Sequence, residues 1–219
     1  MMRRVHLLAV VGVLCVGSAS AQTLDAGRGG LRVTVPTDYG VSPAPLIVLL
    51  HGYTSTGAEQ DEYMGLSLLA DRYGFLLVAP DGSREPGRGE DTFWNASPAC
   101  CDFLNTGIDD SGYVLDIINA AKSQYDIDAD RVYLVGHSNG GFMSFRAAYD
   151  HSETIAAIAS LAGATHLEER AAPASGVHVL AIHGTDDVAI AYEGGQVPLN
   201  VSEGTALHGN RFPSALESV

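Results

Sequence analysis

The chain has 219 residues, a formal net charge of −14 at pH 7 and a hydrophobic fraction of 46%. This length is enough for one domain with a sizeable core, and the composition is that of a globular protein rather than of a disordered or fibrous one. The acidic charge argues against nucleic acid and anionic membranes as partners, because both would be repelled.

The N-terminus has the pattern of a secretory signal peptide. Arg3 and Arg4 precede an apolar run at residues 7–17, and small residues follow at a cleavage position. The apolar run is well short of the ~18 residues that span a bilayer, so a membrane anchor is the weaker interpretation. We therefore expect cleavage before Gln22 and a secreted domain, extracellular or periplasmic, over residues 22–219, with no membrane contact afterwards.

Strand and helix patterns alternate along the first half of this domain. Residues 31–36 alternate in polarity like a half-buried strand, and residues 46–50 form a continuous apolar run like a strand buried on both faces. Apolar positions in residues 66–73 predict a helix that ends at Gly74. Residues 75–80 predict the next strand.

The second half continues the alternation after a long polar loop at residues 81–106. One face of a helix is marked by Val114, Ile117, Ile118, Ala121 and Tyr125. Further strands are predicted at residues 131–136, 155–163 and 177–184, and a further helix at residues 140–150. This order predicts an α/β fold, a mostly parallel sheet with helices on both faces and ligands at the carboxyl ends of its strands.

A glycine-flanked serine follows one of these strands. Gly136-His137-Ser138-Asn139-Gly140 fits the pattern G-x-S-x-G and lies between a predicted strand and a predicted helix. Small residues on both sides allow a sharp turn that exposes the hydroxyl, and the helix N-terminus favours developing negative charge. The alternative is a plain strand-to-helix turn with a capping serine. The pattern predicts that Ser138 is a nucleophile.

A serine that attacks a carbonyl carbon needs hydrogen-bond donors for the oxyanion that forms. One predicted donor is the backbone N–H of Asn139, directly after the serine. The second is the N–H of Tyr53 in the loop after the strand at residues 46–50, with Thr54 as the alternative. We interpret His51 as a turn residue, because a base would follow the serine in the chain.

The remaining site residues are expected in two other loops. Asp186 and Asp187 are adjacent just after the strand at residues 177–184, and only one of them can face the base. Trp94, in the long polar loop, is a candidate for lining the substrate pocket, with simple packing as the alternative. His137 is interpreted as a neighbour of the nucleophile.

Six segments of the sequence carry a resemblance to a known family. In order they are LIVLLHGYTSTG, FLLVAPDGS, FWNASPACCDF, IDDSGY, DADRVYLVGHSNGGFMSFRAA and HGTDDVAIAYEGG. Together they resemble the secreted α/β-hydrolases grouped as polyhydroxybutyrate depolymerase-like and feruloyl-esterase-like enzymes, over residues 45–219. The resemblance implies the α/β-hydrolase fold, Ser138 as nucleophile and Asp187 of the H-G-T-x-D pattern as acid, with Asp186 as the alternative. It also implies hydrolysis of carboxylic esters, without a metal or cofactor.

The histidine that would act as the base for Ser138 is the site residue that is missing. In an α/β-hydrolase the histidine follows the acid, and His208 is the only histidine after Asp187 in the sequence. Residues 197–210 show neither strand nor helix periodicity. The resemblance implies a last strand and a histidine loop that this sequence does not contain. We therefore expect a C-terminally incomplete domain, with His208 as the alternative base.

Other interpretations stay open at this point. Cys100 and Cys101 are adjacent, so either they form a vicinal bridge or one of them awaits another partner. A metal site is not expected, because no second Cys/His pair stands at ligand spacing. The main interpretation is a monomeric esterase that acts on polymeric or small esters. The alternative is a non-catalytic exported binding protein on a hydrolase scaffold that has lost its histidine. Peptidase or thioesterase chemistry on the same elbow also remains open.

Overall fold

The computed structural model describes residues 22–167, 172–198 and 210–219. Its strands are β1 (Gln22–Asp25), β2 (Gly30–Thr34), β3 (Ala44–Leu50), β4 (Leu76–Val78), β5 (Ser83–Arg84), β6 (Thr92–Phe93), β7 (Ile127–His137), β8 (Ala157–Leu161) and β9 (His178–Ile182). Its helices are α1 (Gly57–Met64), α2 (Ala70–Tyr73), α3 (Asp110–Gln124) and α4 (Asn139–Asp150), with a 3-10 turn at Ser67–Leu69 before α2. The predicted signal peptide lies outside the described residues.

Seven strands form one sheet in the order β1-β2-β4-β3-β7-β8-β9. The strands from β4 to β9 in this order pair in parallel, and β1 and β2 are antiparallel at one side. Strands β5 and β6 form a separate ribbon in the long polar loop. The prediction of a mostly parallel sheet is confirmed.

Successive side chains of the central strands pack on opposite faces of the sheet, as the two-residue period of a strand requires. Leu46 and Val48 of β3 belong to the larger core cluster, which also contains the buried faces of α3 and α4. Leu49 points the other way and packs with Leu77 and with Ala70 of α2. Helices therefore cover both faces of the sheet, as predicted.

The predicted face of α3 is fully buried. Val114, Ile117, Ile118 and Ala121 are all 0% exposed, because they lie three or four residues apart and so share one side of the helix. The chain enters this helix through Asp109, whose side chain accepts a hydrogen bond from the Gly112 N–H at 2.8 Å.

Two helical segments precede β4, and only the second was predicted. The predicted helix at residues 66–73 is a 3-10 turn followed by the short α2, and it ends at Gly74 in the left-handed conformation with φ 67°. The apolar residues of helix α1 recur too weakly at helical spacing for this helix to be predicted from periodicity. Its sequence signal is the capping box of Thr56 and Glu59: Thr56 Oγ1 accepts from the Glu59 N–H at 3.2 Å, and Glu59 Oε2 accepts from the Thr56 N–H at 3.0 Å.

Strand β9 stands at one side of the sheet, paired with β8. Three of its apolar side chains are strongly exposed: Val179 at 40%, Leu180 at 56% and Ile182 at 52%. Across the described part of the chain, no helix combines the length and apolar character needed to cross a membrane.

Candidate active site

Ser138 occupies a strained turn between β7 and α4. Its backbone has φ 51° and ψ −118°, a conformation that residues other than glycine rarely adopt. The two flanking glycines leave no room for a side chain. A Cβ atom added at Gly136 would lie 2.6 Å from Ser144 Oγ, and one added at Gly140 would lie 2.6 Å from His51 O. The sharp turn predicted from G-x-S-x-G is present, and packing around both glycines enforces it.

The Ser138 hydroxyl is not used to cap α4, since the structure shows no side-chain cap hydrogen bond from this residue. This argues against the interpretation as a plain capping serine. The Ser138 N–H donates to Leu161 O of β8 at 2.8 Å, which ties the turn to the neighbouring strand. The residue lines a cavity of about 280 Å³. The cavity is also lined by Gly52, Tyr53, Ser55, Glu59, Gln60, Tyr63 and His137.

Asn139 begins α4 directly after the serine. The first backbone N–H groups of a helix have no intrahelical acceptor, so the Asn139 N–H is a donor at the positive end of the helix dipole. Its side chain is fully buried and holds the long loop in place. Asn139 Oδ1 accepts from the Trp94 N–H at 2.7 Å, and Nδ2 donates to Trp94 O at 2.9 Å and to Cys100 Sγ at 3.5 Å.

The two alternative donors predicted for the oxyanion differ in their hydrogen bonding. The Thr54 N–H already donates to Thr92 O at 2.8 Å, whereas no described residue accepts from the Tyr53 N–H. The Tyr53 side chain anchors this loop: its hydroxyl donates to Glu85, and its ring packs edge-on against Phe103 at 5.3 Å. Burial, together with the bond to Glu85, raises the pKa of Tyr53.

His51 also stabilises the loop that contains Tyr53. Its Nε2 accepts a hydrogen bond from the Gly82 N–H at 2.8 Å, so the ring proton of the neutral tautomer lies on Nδ1 and donates to Gly52 O at 2.7 Å. Burial lowers the pKa of His51, which keeps it neutral. Because both ring nitrogens are engaged, His51 fits the interpretation as a turn residue and not as a base.

Asp187 lies in the loop after β9, at the same end of the sheet as Ser138. Its Oδ1 accepts from the N–H groups of Ala189 and Ile190, both at 2.9 Å. Its Oδ2 lies 3.7 Å from His183 Nε2. These contacts hold the carboxylate in one orientation within its own loop.

Asp187 also acts on the elbow electrostatically, whereas Asp186 is an exposed turn residue. Burial lowers the pKa of His137, and the negative charge of Asp187 opposes that change. The Asp187 carboxylate is therefore near enough to His137 to interact with its charge. The predicted base, His208, lies outside the described residues.

Trp94 is a packing residue in this structure, which contradicts the prediction that it lines the substrate pocket. It is 0% exposed, and its indole N–H donates to His51 O at 3.1 Å. The adjacent Cys100 and Cys101 form a disulfide with each other, which is the vicinal alternative. Among residues 22–167, 172–198 and 210–219, no cluster of three or more His, Cys, Asp or Glu side chains is arranged to hold a metal ion.

Several residues in the cavity wall were not among the predicted site residues, and two of them are Gln60 and Tyr63. Both residues belong to α1 and line the same cavity as Ser138. Tyr63 packs its ring on His137, with 5.6 Å between ring centroids. The signal that could have found them is the capping box of Thr56 and Glu59, which places a helix directly after the predicted oxyanion loop.

Comparisons with known proteins find relatives that are named as esterases. Esterase NocK of Nocardia uniformis subsp. tsuyamanensis, described as putative in its name, is 30% identical over 153 residues, 68% of this chain and 42% of that protein. The bifunctional acetylxylan esterase/xylanase XynS20E of Neocallimastix patriciarum is 32% identical over 168 residues, 77% of this chain and 22% of that protein. The chain thus spans less than half the length of either relative.

The solved structure of esterase PE8 shows the same α/β-hydrolase fold. It matches with a TM-score of 0.58 at 24% identity, covering 72% of this chain and 75% of PE8. The family model described as Esterase PHB depolymerase matches residues 31–197, which include the loop of Tyr53, the turn at Ser138 and the loop of Asp187. The chain therefore belongs to the Esterase PHB depolymerase family.

Proposed function

We propose that this protein is a serine esterase that hydrolyses carboxylic esters through an acyl-enzyme. The observation that carries the proposal is the strained elbow, in which the Ser138 hydroxyl does not cap its helix and lines a cavity. The Tyr53 backbone, whose N–H has no acceptor among the described residues, lines the same cavity. Membership of an esterase family supports the ester chemistry.

The proposed reaction has two steps. Ser138 Oγ attacks the ester carbonyl carbon while its proton passes to the base, and the N–H groups of Asn139 and Tyr53 stabilise the oxyanion. Collapse of this intermediate breaks the bond to the alcohol, which leaves with the proton. Water then attacks the acyl-enzyme in the same way and releases the acid. Loss of one such oxyanion donor typically raises the barrier by about 3–4 kcal/mol.

We assign Asp187 as the acid that orients the base, supported by its fixed carboxylate and its electrostatic effect at His137. His208 is the candidate base that this chain supplies, since it is the only histidine after Asp187. The chain's own residues account for nucleophile, oxyanion donors and acid without a metal or cofactor.

The proposed substrates are polyhydroxyalkanoates, acetylated or feruloylated polysaccharides, or small esters. The family description names a PHB depolymerase, and the name of XynS20E includes acetylxylan esterase. The predicted signal peptide supports a secreted, extracellular or periplasmic site of action, and the acidic charge supports a monomer with no nucleic acid partner.

Hydrolysis of p-nitrophenyl acetate by the full chain and by Ser138→Ala tests the proposal. We expect turnover in the wild-type protein and none above the uncatalysed rate in the variant, because the nucleophile is gone. Labelling of Ser138 by a fluorophosphonate should be lost in parallel. A folded wild-type protein that neither turns over the ester nor labels would contradict the proposal and favour a binding protein on a hydrolase scaffold.

Asp187→Asn tests the acid, with Asp186→Asn as the matched control. The amide oxygen introduced by Asp187→Asn can still accept from the two backbone N–H groups, so the fold should be retained while kcat/KM falls by about 10²–10⁴. Asp186→Asn should leave kcat/KM unchanged, because that side chain is exposed. If the control lost activity and Asp187→Asn did not, the assignment of the acid would be reversed.

His208→Ala decides the base. If His208 takes the serine proton, the variant should approach the rate of Ser138→Ala. A variant with the wild-type rate would show that another group does so.

A further inference from the structure

A second cavity lies beside the one that Ser138 lines. Its volume is about 600 Å³, within the ~300–1,000 Å³ that is typical of ligand sites. Ser55 lines the serine cavity and the next residue, Thr56, lines the second cavity, so the two adjoin across the loop after β3. We call the second one the β4 cavity, because the chain that leaves β4 forms part of its wall at residues 81–84.

The β4 cavity lies at the same end of the sheet as the serine. Val33 of β2 pairs antiparallel with Val78 of β4. Gly30 therefore lies level with Asp81, because each is three residues from this pair, and both line the cavity. Strands β4 and β7 flank β3 and run parallel to it, so Asp81 and Ser138 follow carboxyl ends that are two strand spacings, or roughly 10 Å, apart. A substrate with a repeating chain can therefore contact both cavities at once.

Arg28 is held in the wall of the β4 cavity. Its Nη1 donates to Ser83 Oγ at 2.8 Å and to Asp110 Oδ1 at 2.6 Å, and its guanidinium lies 4.0 Å from the centre of the Tyr113 ring. Its Nη2 donates to Asp109 O at 3.2 Å. These bonds to described residues leave part of the donor capacity of the guanidinium unused, and the side chain is 29% exposed. A donor fixed in place loses little entropy when it binds an acceptor.

Charged side chains of both signs line the β4 cavity. Arg28 and Arg84 are cationic, and Asp81 and Glu90 are anionic. Arg84 Nη1 lies 2.5 Å from Glu90 Oε2, and these two side chains are 67% and 83% exposed. Asp81 Oδ1 accepts from the Gly57 N–H at 2.8 Å, whereas its Oδ2 accepts from no described residue. The cavity therefore offers donors and acceptors together, and the charges of its lining residues balance.

This combination favours a neutral ligand that both donates and accepts hydrogen bonds. A guanidinium only donates and a carboxylate only accepts, so a ligand that pairs with both needs hydroxyl groups, which can do either. The repeat of a polyhydroxyalkanoate has ester oxygens as acceptors but no donor, so it would cover the carboxylates without pairing them. A saccharide carries hydroxyl groups on successive carbons and can pair with both kinds of side chain.

We infer that the β4 cavity binds a saccharide unit in the alcohol part of the substrate while the ester to be cleaved lies at Ser138. The sugar hydroxyls accept from the Arg84 guanidinium and donate to the Glu90 carboxylate. This inference rests on the proposed function and narrows its substrates to acylated saccharides. Because the β4 cavity is separate from the serine cavity, binding there can also be measured without turnover.

The kinetic test compares acetylated xylo-oligosaccharides with p-nitrophenyl acetate. Both esters give the same acetyl-enzyme at Ser138, so they differ only in their alcohol part. We would measure the ratio of their kcat/KM values in the wild-type protein and in the double variant Arg84→Ala/Glu90→Ala. This variant removes one charge of each sign, and both side chains are exposed, so the fold and the net charge should be kept. We expect the ratio of the saccharide ester to the nitrophenyl ester to fall by about tenfold.

The double variant Asp128→Ala/Arg131→Ala is the matched control. These two residues form an ion pair with 2.6 Å between Arg131 Nε and Asp128 Oδ2, near the amino end of β7. The control therefore removes an ion pair at the opposite end of the strand from Ser138. Its kcat/KM ratio should equal that of the wild-type protein.

Binding is measured separately with xylohexaose and Ser138→Ala by isothermal titration calorimetry. We expect the affinity to fall by about tenfold when Arg84→Ala/Glu90→Ala is added to this variant, because the hydrogen-bonding groups of the β4 cavity are removed. An affinity that does not change would overturn the inference.

An unchanged kcat/KM ratio in Arg84→Ala/Glu90→Ala would also overturn it, as would a wild-type protein that cleaves p-nitrophenyl acetate but not the saccharide ester. A loss of activity on an oligomer of 3-hydroxybutyrate in place of the saccharide ester would assign the cavity to a polyester. A wild-type protein no faster than Ser138→Ala on either acetyl ester is a different result. It contradicts the proposed function, and the calorimetric comparison then decides whether the cavity binds a saccharide.

Discussion

The serine loop after β7 and the aspartate loop after β9 lie at the same end of the sheet but are built in different ways. At the end of β7, Gly136 and Gly140 have no space for a Cβ atom, so the surrounding backbone fixes the position of Ser138. At the end of β9, Gly184 has no atom within 4 Å of an added Cβ, and Asp187 is held by hydrogen bonds within its own loop. Ser138, the proposed nucleophile, is positioned by the core, and Asp187, the proposed acid, is positioned by local contacts. The two loops should therefore respond very differently to substitution.

The largest effect on stability is expected when a methyl group is added in the serine loop after β7. A Cβ atom at Gly140 would lie 2.6 Å from His51 O and closer still to Leu50 O, which are backbone atoms at the end of β3 and the start of the loop after it. We expect Gly140→Ala to lose most of the ~5–15 kcal/mol that stabilises a domain and to yield no folded protein. Gly184→Ala should fold normally. The stability of both variants would be measured by urea titration followed by circular dichroism. Equal stability of the two variants would refute the comparison.

Removing apolar volume should show the same contrast at a smaller scale. Leu134 of β7 is 0% exposed, so Leu134→Ala should lower the free energy of unfolding by about 2–5 kcal/mol. Leu180 of β9 is 56% exposed, so Leu180→Ala should change it by less than about 1 kcal/mol. Both values follow from urea unfolding. A loss above about 2 kcal/mol at Leu180 would mean that this side chain is covered in solution.

The smallest effect on stability is expected from acid pH, and it acts through His51, near the serine loop. Burial lowers the pKa of His51 below its ordinary value of 6.5, so below that pH the unfolded chain binds a proton that the folded chain does not. Stability is therefore expected to fall as pH decreases through 6.5 towards the lowered value. His51→Asn should make this decrease shallower in urea unfolding at several pH values. Part of the decrease should remain in this variant, because burial also lowers the pKa of His137. An unchanged pH dependence would show that His51 is not buried neutral.

Local sequence patterns were sufficient for the elements that form the core. The apolar run at residues 46–50 and the spacing of Val114, Ile117 and Ile118 predicted β3 and α3, because periodicity depends only on neighbours along the chain. The G-x-S-x-G pattern predicted the elbow for the same reason. Helix α1 was missed, since its start is specified by the capping of Thr56 and Glu59 more than by an apolar face.

The sequence by itself therefore determined the α/β order, the buried strands and the position of Ser138 in a sharp turn. Only the tertiary structure decided that the Thr54 N–H is engaged, because it donates to Thr92 O, far away in the chain. It likewise buried Trp94 against His51 and placed Gln60 in the wall of the cavity that Ser138 lines. These outcomes depend on contacts between segments that are distant in sequence, and such contacts form only when the sheet and its helices pack together.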